Sequence, residues 1–254
     1  MSEPTEYSQF ISSVNYPAPL EVNKRDNNAQ DWLFPTVCAL CGGHGQRGRE
    51  LCQGCEGDLP LIEAGCLQCG VPLPMQGLCG HCQRRPPAFA RAVAAFNYLP
   101  PVDALIKRLK FKGDLHLAEL IGVLMADRLG APGIPLPDVL VPVPLHSRRL
   151  RERGFNQALE LARPIARRLG VPLDWRHVIR SRATDPQSDL PAKLRSRNVK
   201  GAFSVAAGFT AQRVAIVDDV MTTGHTVNEL ALTLRRHGVM HVSVWVCARA
   251  VFGG

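Results

Sequence analysis

The chain has 254 residues, 46% of them hydrophobic, with 30 Lys/Arg against 22 Asp/Glu, nine cysteines and a formal net charge of +8. That length holds one α/β domain and a small accessory unit, and the composition supports a packed core. No run of about 18 apolar residues occurs, so no transmembrane helix is expected, and Met1–Phe34 lacks the basic-then-apolar order of a signal peptide, which makes the cytoplasm the expected compartment.

Charge is unevenly placed. Residues 1–90 hold 6 Lys/Arg and 9 Asp/Glu, whereas 91–254 hold 24 and 13, and 142–213 alone hold 15 and 5. Such asymmetry points to a basic face that meets phosphate, of a nucleotide or of a nucleic acid. A solvated basic surface is the plain alternative.

In chain order, residues 1–34 are rich in Asn, Ser, Pro and charge, which predicts a loosely ordered tail. Residues 35–86 carry four CxxC pairs, Cys38/Cys41, Cys52/Cys55, Cys66/Cys69 and Cys79/Cys82. Each pair places two thiolates on one knuckle, and two knuckles make a tetrahedral site, so eight sulfurs predict two structural zinc ions. Sequential and interleaved pairings of the knuckles both remain open. A redox pair of the thioredoxin kind would need a βαβ context that four pairs in series lack. Cys247 stands alone in an apolar run and reads as core.

Arg84-Arg85-Pro86-Pro87 reads as a linker, and helix and strand patterns alternate over 88–250. Val102, Leu105, Ile106 and Leu109 fall at helical spacing, and Asp114 is expected to cap a second helix bearing Leu117, Leu120, Ile121 and Leu124. Val139–Val143 predicts a buried strand. A helix follows over Ala158–Leu169, with a kink expected at Pro164. Val214–Val217 predicts a strand, Val227, Leu230, Ala231 and Leu234 a helix face, and Val239–Val246 a third strand. This alternation predicts an α/β fold with a parallel sheet and crossover helices.

The run Val214–Thr226 reads V-A-I-V-D-D-V-M-T-T-G-H-T. A strand ends in two acids, a loop of small polar residues follows, and a helix begins. Unpaired backbone N–H groups and the helix dipole favour an anion at such a loop. Thr222, Thr223 and Thr226 add hydroxyls, Gly224 permits close approach or positive φ, and Asp218 and Asp219 can accept from a pair of ribose hydroxyls.

This run resembles the phosphoribosyl-pyrophosphate (PRPP) signature of type I phosphoribosyltransferases. The resemblance implies that Asp218 and Asp219 are the catalytic acids holding the ribose 2′- and 3′-hydroxyls. It implies that Met221, Thr222, Thr223, Gly224, His225 and Thr226 form the 5′-phosphate loop, with Mg²⁺ accompanying PRPP. The stretch V-L-V-P-V-P-L-H-S-R-R-L-R-E-R-G-F-N-Q (139–157), with R-S-R-A-T-D-P-Q (180–187), R-S-R-N-V-K-G-A-F (195–203) and the four CxxC pairs, is similar to the ComF family, which is associated with natural competence. The implied architecture is a double zinc ribbon at 35–86 followed by a type I phosphoribosyltransferase-like domain at 88–254. Pro144, Leu145 and His146 then occupy the pyrophosphate loop. Arg148, Arg151 and Arg153 are candidates for phosphate contact, because a guanidinium matches phosphate oxygens. Arg180, Thr184, Gln187 and Asn198 match the family's mobile loop.

Two functions follow from these observations. One is phosphoribosyl transfer from PRPP to an unidentified acceptor, in a protein acting in DNA uptake. The other is a non-catalytic single-stranded-DNA binding factor of the competence machinery, its PRPP site regulatory or vestigial. Aromatics make up only 6% of the chain, which leaves a thin stacking platform for single strands. The acceptor and any homo-oligomer lie beyond the sequence.

Overall fold

The structure is a computed structural model, described over residues 36–131, 133–182 and 199–250. The chain divides into two compact units between Gly57 and Asp58, so the cysteine region is split: the first two CxxC pairs fall in one unit and the last two in the other. The short helices α1 (Gln53–Gly57) and α2 (Gly80–Arg84) each carry the second thiol of a CxxC pair.

The second unit is built on a four-stranded, wholly parallel sheet. Its strands are β1 (Arg91–Asn97), β2 (Val139–Pro142), β5 (Arg213–Met221) and β6 (His241–Arg249), in the order β1-β6-β5-β2. Between β2 and β5 the chain makes a separate antiparallel pair, β3 (Val178–Arg180) with β4 (Phe203–Val205). The helices are α3 (Val102–Lys107), α4 (His116–Leu129), α5 (Ser147–Arg153), α6 (Gln157–Leu169) and α7 (His225–Arg236). Register pairs Val139 with Val214 and Val214 with Val242.

The near-continuous apolar runs of β2, β5 and β6 follow from burial on both sheet faces. Val139, Val141, Val214, Ile216, Val242, Val244 and Val246 share one core with Leu230 and Leu234 of α7. Successive side chains of a strand point to opposite faces, so Leu140, Ala215, Val217 and Trp245 line the other face, the one α4 and α6 cover.

Helix α6 continues through Pro164, which packs against a neighbouring helix. A Cβ added to Gly122 of α4 would sit 2.2 Å from Pro164 Cγ and 2.8 Å from Leu161 O, so the two helices touch at a glycine–proline contact. The expected Asp114 cap is corrected. Leu115 is the N-cap of α4 without a side-chain bond, and the Asp114 carboxylate accepts from Arg108 Nε at 2.9 Å. Strand β1 went unread because its burial does not alternate and its apolar residues are mostly alanines, and α3 continues into a π-helical turn, Arg108–Lys112, that ends at Gly113 with φ +71°.

Candidate functional site

The eight paired cysteines form two clusters, Cys38/Cys41/Cys52/Cys55 and Cys66/Cys69/Cys79/Cys82, each with its sulfurs within 4.8 Å of one another. The pairing is therefore sequential. Cys41 and Cys52 sulfurs lie 3.8 Å apart and those of Cys69 and Cys79 3.7 Å. A tetrahedron with bonds of about 2.3 Å has edges of about 3.8 Å, so the donor set fits zinc, whereas a disulfide needs about 2.05 Å. Main-chain N–H groups point at the sulfurs: Cys69 N and Cys79 N donate to Cys66 Sγ at 3.5 and 3.3 Å, and Cys82 N to Cys79 Sγ at 3.4 Å. Such donors favour thiolates, the form a metal requires. All four positions of each site are filled by sulfur, which makes both sites structural.

The second constellation lies at the C-terminal ends of the strands, where open α/β sheets bind ligands. Strand β5 extends to Met221, so Asp218 and Asp219 are still held by sheet pairing, Asp218 opposite Val246. Asp219 is 3% exposed. Asp218 Oδ1 accepts from Asp219 N at 2.9 Å and Asp219 Oδ1 from Val220 N at 2.7 Å, which fixes both carboxylates. Lys110 Nζ, from the π-helical turn, lies 2.7 Å from Asp219 Oδ2. A π-turn of this kind recurs at functional sites.

Burial pushes the Asp218 carboxyl up to about 7, and the neighbouring Asp219 pushes the same way; Lys110 and Arg180 act against them. Burial opposes the charge on Lys110, but Asp219 and Asp218 outweigh it and its pKa lies above the usual lysine range. Burial likewise presses Arg153 and Arg180 down, opposed by Asp219 and Asp218 respectively. Two carboxylates thus stand among three cations drawn from the π-turn, α5 and β3.

After β5 the chain turns through Thr222–Gly224 into α7. Gly224 is the N-cap, with φ +78°, a left-handed conformation that favours glycine. Met221 turns its side chain into the core and contributes main chain to the loop. Thr223 Oγ1 is buried with no hydrogen-bond partner among the described residues, and such orphaned hydroxyls call for an absent ligand or water. Thr222, His225 and Thr226 are partly exposed at the start of α7.

Of the predicted pyrophosphate loop, Pro144 and Leu145 are buried and His146 is partly exposed. Asn156 Nδ2 donates to Val143 O at 3.1 Å while its Oδ1 caps α6 at Ala158 N, which ties the loop to the helix. His146 caps α5 through Arg148 N, and burial together with Arg180, Arg148 and Arg151 holds it below the usual histidine pKa. The predicted arginines divide. Arg153 faces inward, bonding Gln157 at 2.7 Å and lying over Phe111, whereas Arg148 and Arg151 are exposed and Arg148 lies near Glu152. Arg180 stacks over Phe203. Thr184, Gln187 and Asn198 lie outside the described residues. Lys110 is the site residue that sequence reasoning missed: its apolar stripe marked a helix, and only the π-turn brings Lys110 to Asp219.

The parallel sheet, with a diacid closing its central strand and a glycine-initiated helix beyond, defines a phosphoribosyltransferase-like domain. The phosphoribosyl transferase domain model matches residues 156–250, and the double zinc ribbon domain model residues 29–83. The chain is 42% identical over 193 residues to the DNA utilization protein YhgH of Salmonella typhi, covering 73% of this chain and 84% of that one. It is 39% identical over 225 residues to the same-named protein of Escherichia coli K12, covering 85% and 98%. It is 36% identical over 227 residues to competence protein F of Haemophilus influenzae, covering 86% and 99%. The chain belongs to this ComF family. Among the described residues, no helix is long and apolar enough to cross a membrane.

Proposed function

We propose that the domain binds PRPP with Mg²⁺, through Asp218 and Asp219 on the ribose hydroxyls and Thr222–Thr226 on the 5′-phosphate, and transfers the phosphoribosyl group to an acceptor. The observation that carries this reading is the joined geometry of β5 and α7: two fixed carboxylates, then a buried unpartnered Thr223 hydroxyl and a left-handed Gly224 at a helix start. In the transfer the acceptor's nucleophilic atom bonds to C1 of the ribose. The bond from C1 to the pyrophosphate oxygen breaks, its electron pair leaves on pyrophosphate, and the acceptor loses its proton. Positive charge develops on the ribose ring, which the paired acids face. Arg153, Lys110 and the Pro144–His146 loop flank the departing pyrophosphate, and Mg²⁺ would supply charge neutralisation there. Arg180, at the end of β3, adds a further cation beside the paired acids.

The relatives are named for DNA utilization and competence, which extends the proposal to a role in the use of DNA. Exposed Arg148 and Arg151 and the 74%-exposed Phe111 favour a second reading in which single-stranded DNA binds directly and PRPP regulates it. Calorimetric titration with PRPP and Mg²⁺, followed by a screen of nucleobases for pyrophosphate release, tests the first reading. Binding with release identifies the acceptor, binding without release in any mixture favours the regulatory reading, and no binding overturns the transferase reading and leaves a DNA-binding protein with a vestigial PRPP site.

A further inference from the structure

The end of β6 carries a charge that patterning did not single out. Arg249 is 8% exposed, yet among the described residues it pairs with no carboxylate. Its partners are all main-chain carbonyls. Nε donates to Cys69 O at 3.2 Å, and Nη1 donates to Met221 O at 2.9 Å, to Ala250 O at 2.6 Å and to Thr222 O. One guanidinium therefore joins the Cys66/Cys69 knuckle to the loop that follows β5.

The knuckle is seated independently of that group. Ala92 N of β1 donates to Gln68 O at 2.7 Å, and Gly70, at φ +66°, packs so closely that a Cβ would lie 3.1 Å from Ala92 O. Cys66, Cys69 and Cys82 share a hydrophobic core with Met221 and Val246. Between knuckle and loop lies a cavity of about 650 Å³, lined by Cys69, His81 and Arg85 on one side and Thr222, Thr223 and Gly224 on the other. A buried cation satisfied only by neutral acceptors keeps an uncompensated charge. Here that charge sits at the base of the loop, where a phosphate dianion would supply the missing counter-charge.

We propose that Arg249 is a positioning residue that locks the Met221–Thr226 loop to the Cys66/Cys69 knuckle, so that zinc in Cys66, Cys69, Cys79 and Cys82 fixes the loop in its anion-accepting shape. This rests on the reading of Thr222–Thr226 as a phosphate loop. It makes the second zinc site a determinant of phosphate affinity.

The test is hydrogen–deuterium exchange across 221–226 in the full chain, with PRPP titration on the same samples. Arg249→Met exchanges faster in this segment and binds PRPP about tenfold more weakly, the scale of one charge-assisted hydrogen bond. Arg213→Met, which loses a bidentate bond to Asp138 at the opposite end of β5, leaves exchange at 221–226 unchanged. Cys79→Ser loses one zinc by elemental analysis and reproduces the Arg249→Met exchange pattern. Where Arg249→Met does not fold, Arg249→Lys keeps the charge, loses the planar fork and shows an intermediate rate. Unaltered exchange of the loop in a folded Arg249 variant overturns the inference. A wild type that binds no PRPP, yet exchanges in a zinc- and Arg249-dependent way, retains this coupling and overturns the PRPP reading instead.

Discussion

Asp218 concentrates the electrostatics of the site in one group. Its carboxyl is raised from 3.8 to about 7, so between those values the folded chain holds a proton that the unfolded chain has released. Stability contributed by this group therefore falls as pH rises from about 4 to about 7. Asp218→Asn removes the term, and its thermal midpoint exceeds that of wild type at pH 8 by more than at pH 5; an equal difference at both pH values contradicts the assignment. Gly224 gives a second residue-scale prediction. Its positive φ sets the cost of Gly224→Ala at about 1–2 kcal/mol in denaturant unfolding. The diacid, the threonines and this glycine were legible because they are contiguous in sequence. Lys110 and Arg249 were not, because Lys110 meets Asp219 and Arg249 meets Cys69 only across more than a hundred residues of chain, and no local periodicity records such a meeting.

At the scale of elements, the contact between α4 and α6 sets how the helical layer lies on the sheet. Gly122 admits Pro164 where any side chain would collide with both its ring and Leu161 O. Gly122→Ala should cost about 1–3 kcal/mol by overpacking, and Pro164→Ala in the same chain should recover part of that loss, because the ring carbon nearest the new methyl is gone. Additive effects of the two substitutions would contradict direct contact. The strands β2, β5 and β6 were legible as continuous apolar runs because both their faces are buried. Their length was not: β5 continues four residues past Val217, through the two acids, and sheet pairing there overrides the poor strand propensity of aspartate. The helix around Pro164 was legible from its apolar stripe, but the glycine of the neighbouring helix that accepts the proline ring was not.

Across the whole molecule, the eight paired cysteines divide into two four-sulfur clusters on either side of the unit boundary. Elemental analysis of the purified chain should give about two zinc ions, and a value near zero with every thiol titratable would contradict both sites. Each tetrathiolate zinc carries two net negative charges, which deepens the contrast between the acidic N-terminal part and the basic remainder. The central claim is that the end of β5 and the start of α7 hold a phosphorylated ribose. The most direct measurement is the calorimetric affinity for PRPP with Mg²⁺ of wild type beside Asp218→Asn/Asp219→Asn, both shown to be folded by circular dichroism. The account predicts saturable binding to the wild type and none detectable in the double variant; equal affinity in the two proteins would contradict it.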